Sequence, residues 1–199
     1  MNRKPMFAIG AAAVIALAAG AAPAQTNSSG AMGTAAPAQA TSGETASKAS
    51  KADQAFLKEG IQGDMAEVKM GELAQQKGQG DSVKTFGETL VTDHGDHLKK
   101  LQGMTQQMGA QAPTEPTAKQ KADYDKLAKL SGAKFDREFA KHMVMDHKQD
   151  IAKYQTEAKK TGPLAELAKE TVPTLQKHLK MAQDLEKPAA TTGSSSKMR

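Results

Sequence analysis

From Asp53 to Glu186 the apolar residues recur three, four and seven positions apart, the spacing that stacks side chains along one face of a helix. No segment keeps the period-two alternation of a strand. Leu57, Ile61, Met65 and Val68 define the inner arc of a first helix, with Asp53 as its N-cap and Gly78 and Gly80 beyond its end at Lys77; Asp64 and Glu67 plot close to that arc. Gly60, Gly63 and Gly71 weaken it by up to ~1 kcal/mol each, which a close packing partner would explain. A second helix, from Asp81 to Met108, carries the cleanest stripe in the chain: Leu90, His94, His97, Leu101, Met104 and Met108. Residues 111–132 hold Pro113, Pro116 and one short amphipathic piece, Tyr124 to Leu130, and are too long for a tight turn, so they read as a crossover. A third helix spans Lys134 to Lys160 and breaks at Thr161-Gly162-Pro163. The fourth runs from Pro163 to Glu186 with Leu164, Ala168, Val172, Leu175, Leu179 and Ala182 inward, a kink expected at Pro173, and His178 on the edge of the inner face. Two short connections around one long one predict an all-α four-helix bundle, with the crossover joining helices 2 and 3 and leaving those two parallel on a diagonal.

The ends are built differently. Residues 1–24 open with Arg3 and Lys4, continue through an apolar run from Met6 to Ala19 and finish Ala22-Pro23-Ala24, the pattern of an export signal cleaved before Gln25. That run is shorter than the ~20 residues of a membrane-spanning helix, and no later stretch is apolar enough to span. Residues 25–50 and 188–199 consist mainly of Ala, Ser, Thr, Gly, Pro and Gln, too little apolar surface to offset the entropy of ordering, and read as a linker and a loose tail. One helical-bundle domain, residues 51–187, lies between them. The chain has no cysteine, which removes disulfides, thiolate ligands and a lipidated leader, and restricts any metal site to His, carboxylate and Met. The formal charge of +5 includes Arg3 and Lys4 of the leader, and aromatic residues make up only 4 %, so neither a phosphate-tracking face nor a base-stacking platform is present and no nucleic-acid partner is expected.

The chemistry concentrates in a repeat. Thr89 to Gln102 (TLVTDHGDHLKKLQ) aligns without gaps to His142 to Gln155 (HMVMDHKQDIAKYQ), sharing Val91/Val144, Asp93/Asp146, His94/His147, Lys100/Lys153 and Gln102/Gln155. His94 and His97 stand where leucines would complete the first stripe, and Phe139, Met143, His147, Asp150 and Tyr154 form the second. Two readings stay open. Buried histidines are ordinarily paired with carboxylates, and the adjacent Asp93-His94 and Asp146-His147 offer such partners across helices. The same cluster also suits a mononuclear site for zinc, copper, iron or nickel, with His94, His97, His147 and Asp150 as ligands and Glu67, His142 and His178 as secondary candidates. Met65, Met104, Met108 and Met143 fit ordinary core filling better than copper(I) ligation.

Asp53 and Phe56, Glu67 before Leu73, the LVTDH ending at His94, Phe135-Asp136 with His142 and His147, and VPTLQKHL around Pro173 and His178 form a pattern extending over residues 53–187. In these features the stretch resembles the bacterial domain-of-unknown-function family 4142, exported proteins regarded as members of the ferritin-like superfamily. The resemblance implies a ferritin-like bundle and an exported location, and transfers no activity. Ferritin-like metal enzymes hold two metals with a Glu from each of two helices and a Glu-x-x-His from each of the others. Here the residues three before His94, His97, His142, His147 and His178 are Val91, His94, Phe139, Val144 and Leu175, so that ligand set is absent. Two function classes follow. One is a non-enzymatic, stress-related bundle of the periplasm or envelope, acting through an unidentified protein or envelope partner; the missing catalytic signature favours it. The alternative is a periplasmic metal-binding or metal-dependent redox protein using the His/Asp cluster and a divalent transition metal.

Overall fold

A computed structural model describes residues 48–187, which lie in one compact unit. The expected leader, most of the expected linker and the expected tail fall outside the described residues. The fold is all-α, but five helices replace the expected four: α1 (Lys51–Lys77), α2 (Asp81–Gln107), α3 (Ala118–Ala128), α4 (Gly132–Glu157) and α5 (Pro163–Glu186). The extra element is α3, in the crossover. It starts earlier than the amphipathic piece suggested because Thr117 and Gln120 form a capping box, and it is held by burial of Leu127. No helix among the described residues is long and apolar enough to cross a membrane.

The first cap also differs from expectation. Ser50, not Asp53, is the N-cap of α1, and Asp53 is the third residue of a capping box, its carboxylate accepting from the Ser50 N–H at 2.9 Å. Ala49, assigned to the linker by composition, is buried and donates its N–H to the Met108 carbonyl at 3.1 Å, fastening the start of α1 to the end of α2. At the opposite end Gly80, the N-cap of α2, brings no side chain to the task. Asp136 of α4 supplies the cap from outside, accepting from the Gln79 and Gly80 N–H groups at 2.9 Å each. The starts of α2 and α4 therefore meet, so these two helices run parallel and the crossover returns along the length of the bundle. The neighbours are α1 with α2, α4 with α5, α2 with α5 and α1 with α4, which puts α2 and α4 on a diagonal as the connection lengths implied.

Glycine sets the closest helix approach. A Cβ on Gly71 would lie 2.5 Å from the Gly87 carbonyl oxygen, and one on Gly87 would lie 2.6 Å from that of Gly71, so α1 and α2 touch backbone to backbone there. The buried side chains form two apolar clusters. One contains Met70, Leu73, Phe86, Leu90, Phe139 and Met143; the other contains Phe56, Leu57, Ile61, Leu101, Tyr154 and Leu175. Each long helix passes from one cluster to the other through polar residues: Asp64 and Glu67 on α1, His94 and His97 on α2, His147 on α4 and His178 on α5. A polar layer thus crosses the middle of the bundle.

Candidate metal centre

Helix geometry puts the three most enclosed rings on different elements. His94 lies on α2 one turn past Leu90, His147 on α4 one turn past Met143, and His178 on α5 between Leu175 and Ala182. All three are buried, with His147 fully so. Their ring centroids are 5.7 Å apart for His94 and His147, 5.2 Å for His94 and His178, and 5.3 Å for His147 and His178, a nearly equilateral triangle. One nitrogen from each ring lies within 4.8 Å of the other two, the only such grouping of metal-ligating side chains among the described residues. Small side-chain rotations would bring these nitrogens to the ~3.3–3.5 Å separations set by a tetrahedral ion with bonds of ~2.0–2.1 Å.

The opposite nitrogen of each ring is held. His94 Nδ1 donates to Asp64 Oδ1 at 2.9 Å, and His178 Nε2 donates to Asp93 Oδ2 at 2.8 Å. His147 Nδ1 lies 3.0 Å from the Met143 carbonyl, which can only accept, so this nitrogen carries the proton. The remaining nitrogens, His94 Nε2, His147 Nε2 and His178 Nδ1, are buried and have no protein partner. These bonds fix the tautomers and leave a lone pair on each unpartnered nitrogen, the arrangement in which outer carboxylates and carbonyls orient metal-binding imidazoles. Burial, reinforced by the neighbouring histidines, lowers His147 to about 3 and His178 to about 4, so both rings are neutral near pH 7, the form that binds a cation.

The other sequence candidates occupy different places. Asp64 holds two rings at once: its second oxygen accepts from His97 Nδ1 at 2.8 Å. Burial alone would push the Asp64 carboxyl up, but the hydrogen bonds from His94 and His97 outweigh it and hold the group below the ordinary carboxylate range. His97 is outside the triangle, stacked obliquely near Tyr154 at 5.5 Å, with its Nε2 also unpartnered. Asp150, its counterpart in the repeat, is half-buried 3.7 Å from Lys153 Nζ, and burial followed by the charge of Asp146 raises its carboxyl to about 6. Glu67 is fully buried, and its nearer oxygen approaches the His147 Nδ1 edge at 3.9 Å, the side turned to Met143. Burial and then the facing Asp146 carboxylate push Glu67 well above its ordinary range. His142 lines a separate surface groove with Leu127, Val144 and Met145. His178, the ring placed by sequence at the edge of its helix face, completes the triangle instead. Its signal was position: it falls between Leu175 and Ala182 on the inner stripe. Asp64 was legible only as a carboxylate near an arc, and nothing in its spacing announced two imidazole partners.

The family model described as Domain of unknown function (DUF4142) matches residues 37–185 of the chain. No curated protein matches it. Among solved structures, the crystal structure of a DUF305 fragment from Deinococcus radiodurans superimposes with a TM-score of 0.63 at 13 % sequence identity, covering 70 % of this chain and 97 % of that one. At that identity the likeness speaks for the helical fold alone.

Proposed function

We propose, for a chain that belongs to the DUF4142 family and takes no activity from it, a role in binding one transition-metal ion through His94, His147 and His178. One observation carries this reading: three buried histidines on three helices each bring a nitrogen within 4.8 Å of the other two, and each keeps one unpartnered nitrogen while a hydrogen bond holds the other. Histidines serving only as packed polar residues would have no reason to leave three buried lone pairs unpaired in one cluster, because each buried, unsatisfied acceptor costs about 1–3 kcal/mol. An all-imidazole set suits zinc, copper, iron or nickel, and a single ion suits three rings where a two-metal carboxylate set is absent. The apolar leader and its Ala22-Pro23-Ala24 end support an exported, envelope setting for this activity.

The test uses untagged protein recovered from the envelope of the exporting cell. Metal analysis is expected to give about one ion per chain, and intact mass is expected to give a chain beginning at Gln25. Added zinc or copper should raise the melting temperature with increasing free metal, by about 2.7 kcal/mol of stability at a hundred times the dissociation constant. His94→Ala, His147→Ala and His178→Ala should each abolish that rise. A wild type indifferent to zinc, copper, iron and nickel would end the metal reading, and a mature chain that retains Met1 would end the export reading.

A further inference from the structure

Independently of the metal site, we propose that the outer face of α4 docks the protein onto a bilayer that carries anionic lipid headgroups. The exposed charged residues of this helix are all basic: Lys134, Arg137, Lys141 and Lys148. At about 100° per residue these four and the exposed Met145 fall within an arc of roughly 80°, and the row from Lys134 to Lys148 is about 21 Å long. A row of cations along one side of a helix is the shape that a flat anionic surface meets at every position at once.

The other long helices do not share this pattern. Each interleaves exposed acids with its lysines: Glu59 and Glu72 on α1, Glu88 and Asp96 on α2, Glu166 and Glu170 on α5. On α4 the acids are engaged or turned inward. Asp136 caps α2, Asp146 and Asp150 are half-buried, and Glu157 is buried against Lys160 at 2.6 Å. Glu138 is paired with Lys141 at 3.2 Å, whereas Lys134, Arg137 and Lys148 form no ion pair among the described residues. One carboxylate outside α4 borders the face: Glu186, at the last turn of α5, lines the groove beside Met145. Charge alone would suit any polyanion, and Met145 narrows the choice to a bilayer. It is 59 % exposed, the only large apolar side chain so exposed among the described residues, and it stands inside the basic row. Leu127, Leu130 and Val144 line the groove next to it. Cations flanking an apolar side chain fit the boundary where headgroups give way to acyl chains.

The experiment sediments the untagged, exported chain with vesicles of phosphatidylglycerol and phosphatidylcholine in equal parts, and with vesicles of phosphatidylcholine alone. Binding to the anionic vesicles only, and its release at roughly 1 M salt, where charges are screened beyond about 3 Å, is the expected result. Each cation brought to such a surface strengthens binding about 5-fold. The triple variant Lys134→Gln, Arg137→Gln, Lys148→Gln should therefore lose about 100-fold in vesicle affinity while melting at the wild-type temperature. Lys58→Gln, Lys84→Gln, Lys100→Gln, which removes the same charge from α1 and α2, should lose far less. Met145→Gln should weaken vesicle binding a few-fold and leave binding to dextran sulfate, a soluble polyanion, unchanged. No binding to the anionic vesicles, or equal binding to phosphatidylcholine alone, would overturn the proposal. Equal losses in the two triple variants would overturn the assignment to α4. Vesicle binding indifferent to Met145→Gln, together with equally tight binding of dextran sulfate, would replace the bilayer with a soluble polyanion as the partner.

Discussion

Asp64 binds two imidazoles with one carboxylate, and this makes it the most sensitive point outside the three rings themselves. Asn in its place offers one acceptor oxygen and one N–H2 donor, so either His94 or His97 must change tautomer or turn away. Asp64→Asn is therefore expected to weaken metal binding about 10–100-fold, measured by competition with a chelator of known affinity. Unchanged affinity would mean that Asp64 serves packing alone. The inward position of Asp64 was hard to see from sequence for a definite reason. Hydropathy selected Met65 and Val68 for the inner arc of α1, yet both are only half-buried, while the face that meets the other helices runs through Gly60, Asp64, Glu67 and Gly71. Those residues score as polar or featureless, and only the partners on α2 and α4 explain why they point inward.

At the level of the helices, the stripes of α2, α4 and α5 were readable because their buried residues are large and regularly spaced: Leu90 and Leu101, Phe139 and Met143, Leu164 and Leu175. Helix α3 was less readable, since its start depends on the Thr117 and Gln120 capping box and not on apolar periodicity. The glycines of α1 separate into two kinds that composition cannot distinguish. Gly71 is required by the backbone contact with Gly87, whereas Gly63 faces open space. Gly71→Ala should cost about 1–3 kcal/mol through overpacking despite the better helix propensity, and Gly63→Ala should gain up to about 1 kcal/mol. Urea denaturation midpoints of the two variants check both signs; a stabilised Gly71→Ala would show that α1 and α2 can separate without loss.

For the molecule as a whole, connection lengths alone gave the right topology: two short turns and one long return place α2 and α4 in parallel, so the repeated Asp-His pairs come to similar depth. What the repeat did not reveal was the third ring. His178 comes from an antiparallel helix with no copy of the motif, and its depth depends on where α5 turns back after Gly162. The rings also belong to different halves: His94 to the hairpin of α1 and α2, His147 and His178 to the hairpin of α4 and α5.

An ion shared by these three rings would rivet one hairpin to the other. The Asp136 cap is a second rivet, eleven residues before His147 on α4 and so about 16 Å along the axis. Two fasteners across the same seam are thermodynamically linked: whatever loosens one lowers the effective concentration of the groups joined by the other, and the coupling runs both ways. Asp136→Ala touches no candidate ligand, yet it should weaken metal binding, and bound metal should in turn slow hydrogen exchange at the Gln79 and Gly80 amides that Asp136 caps. Titration and exchange measured on the same protein would detect a seam that opens at one end whenever it is released at the other.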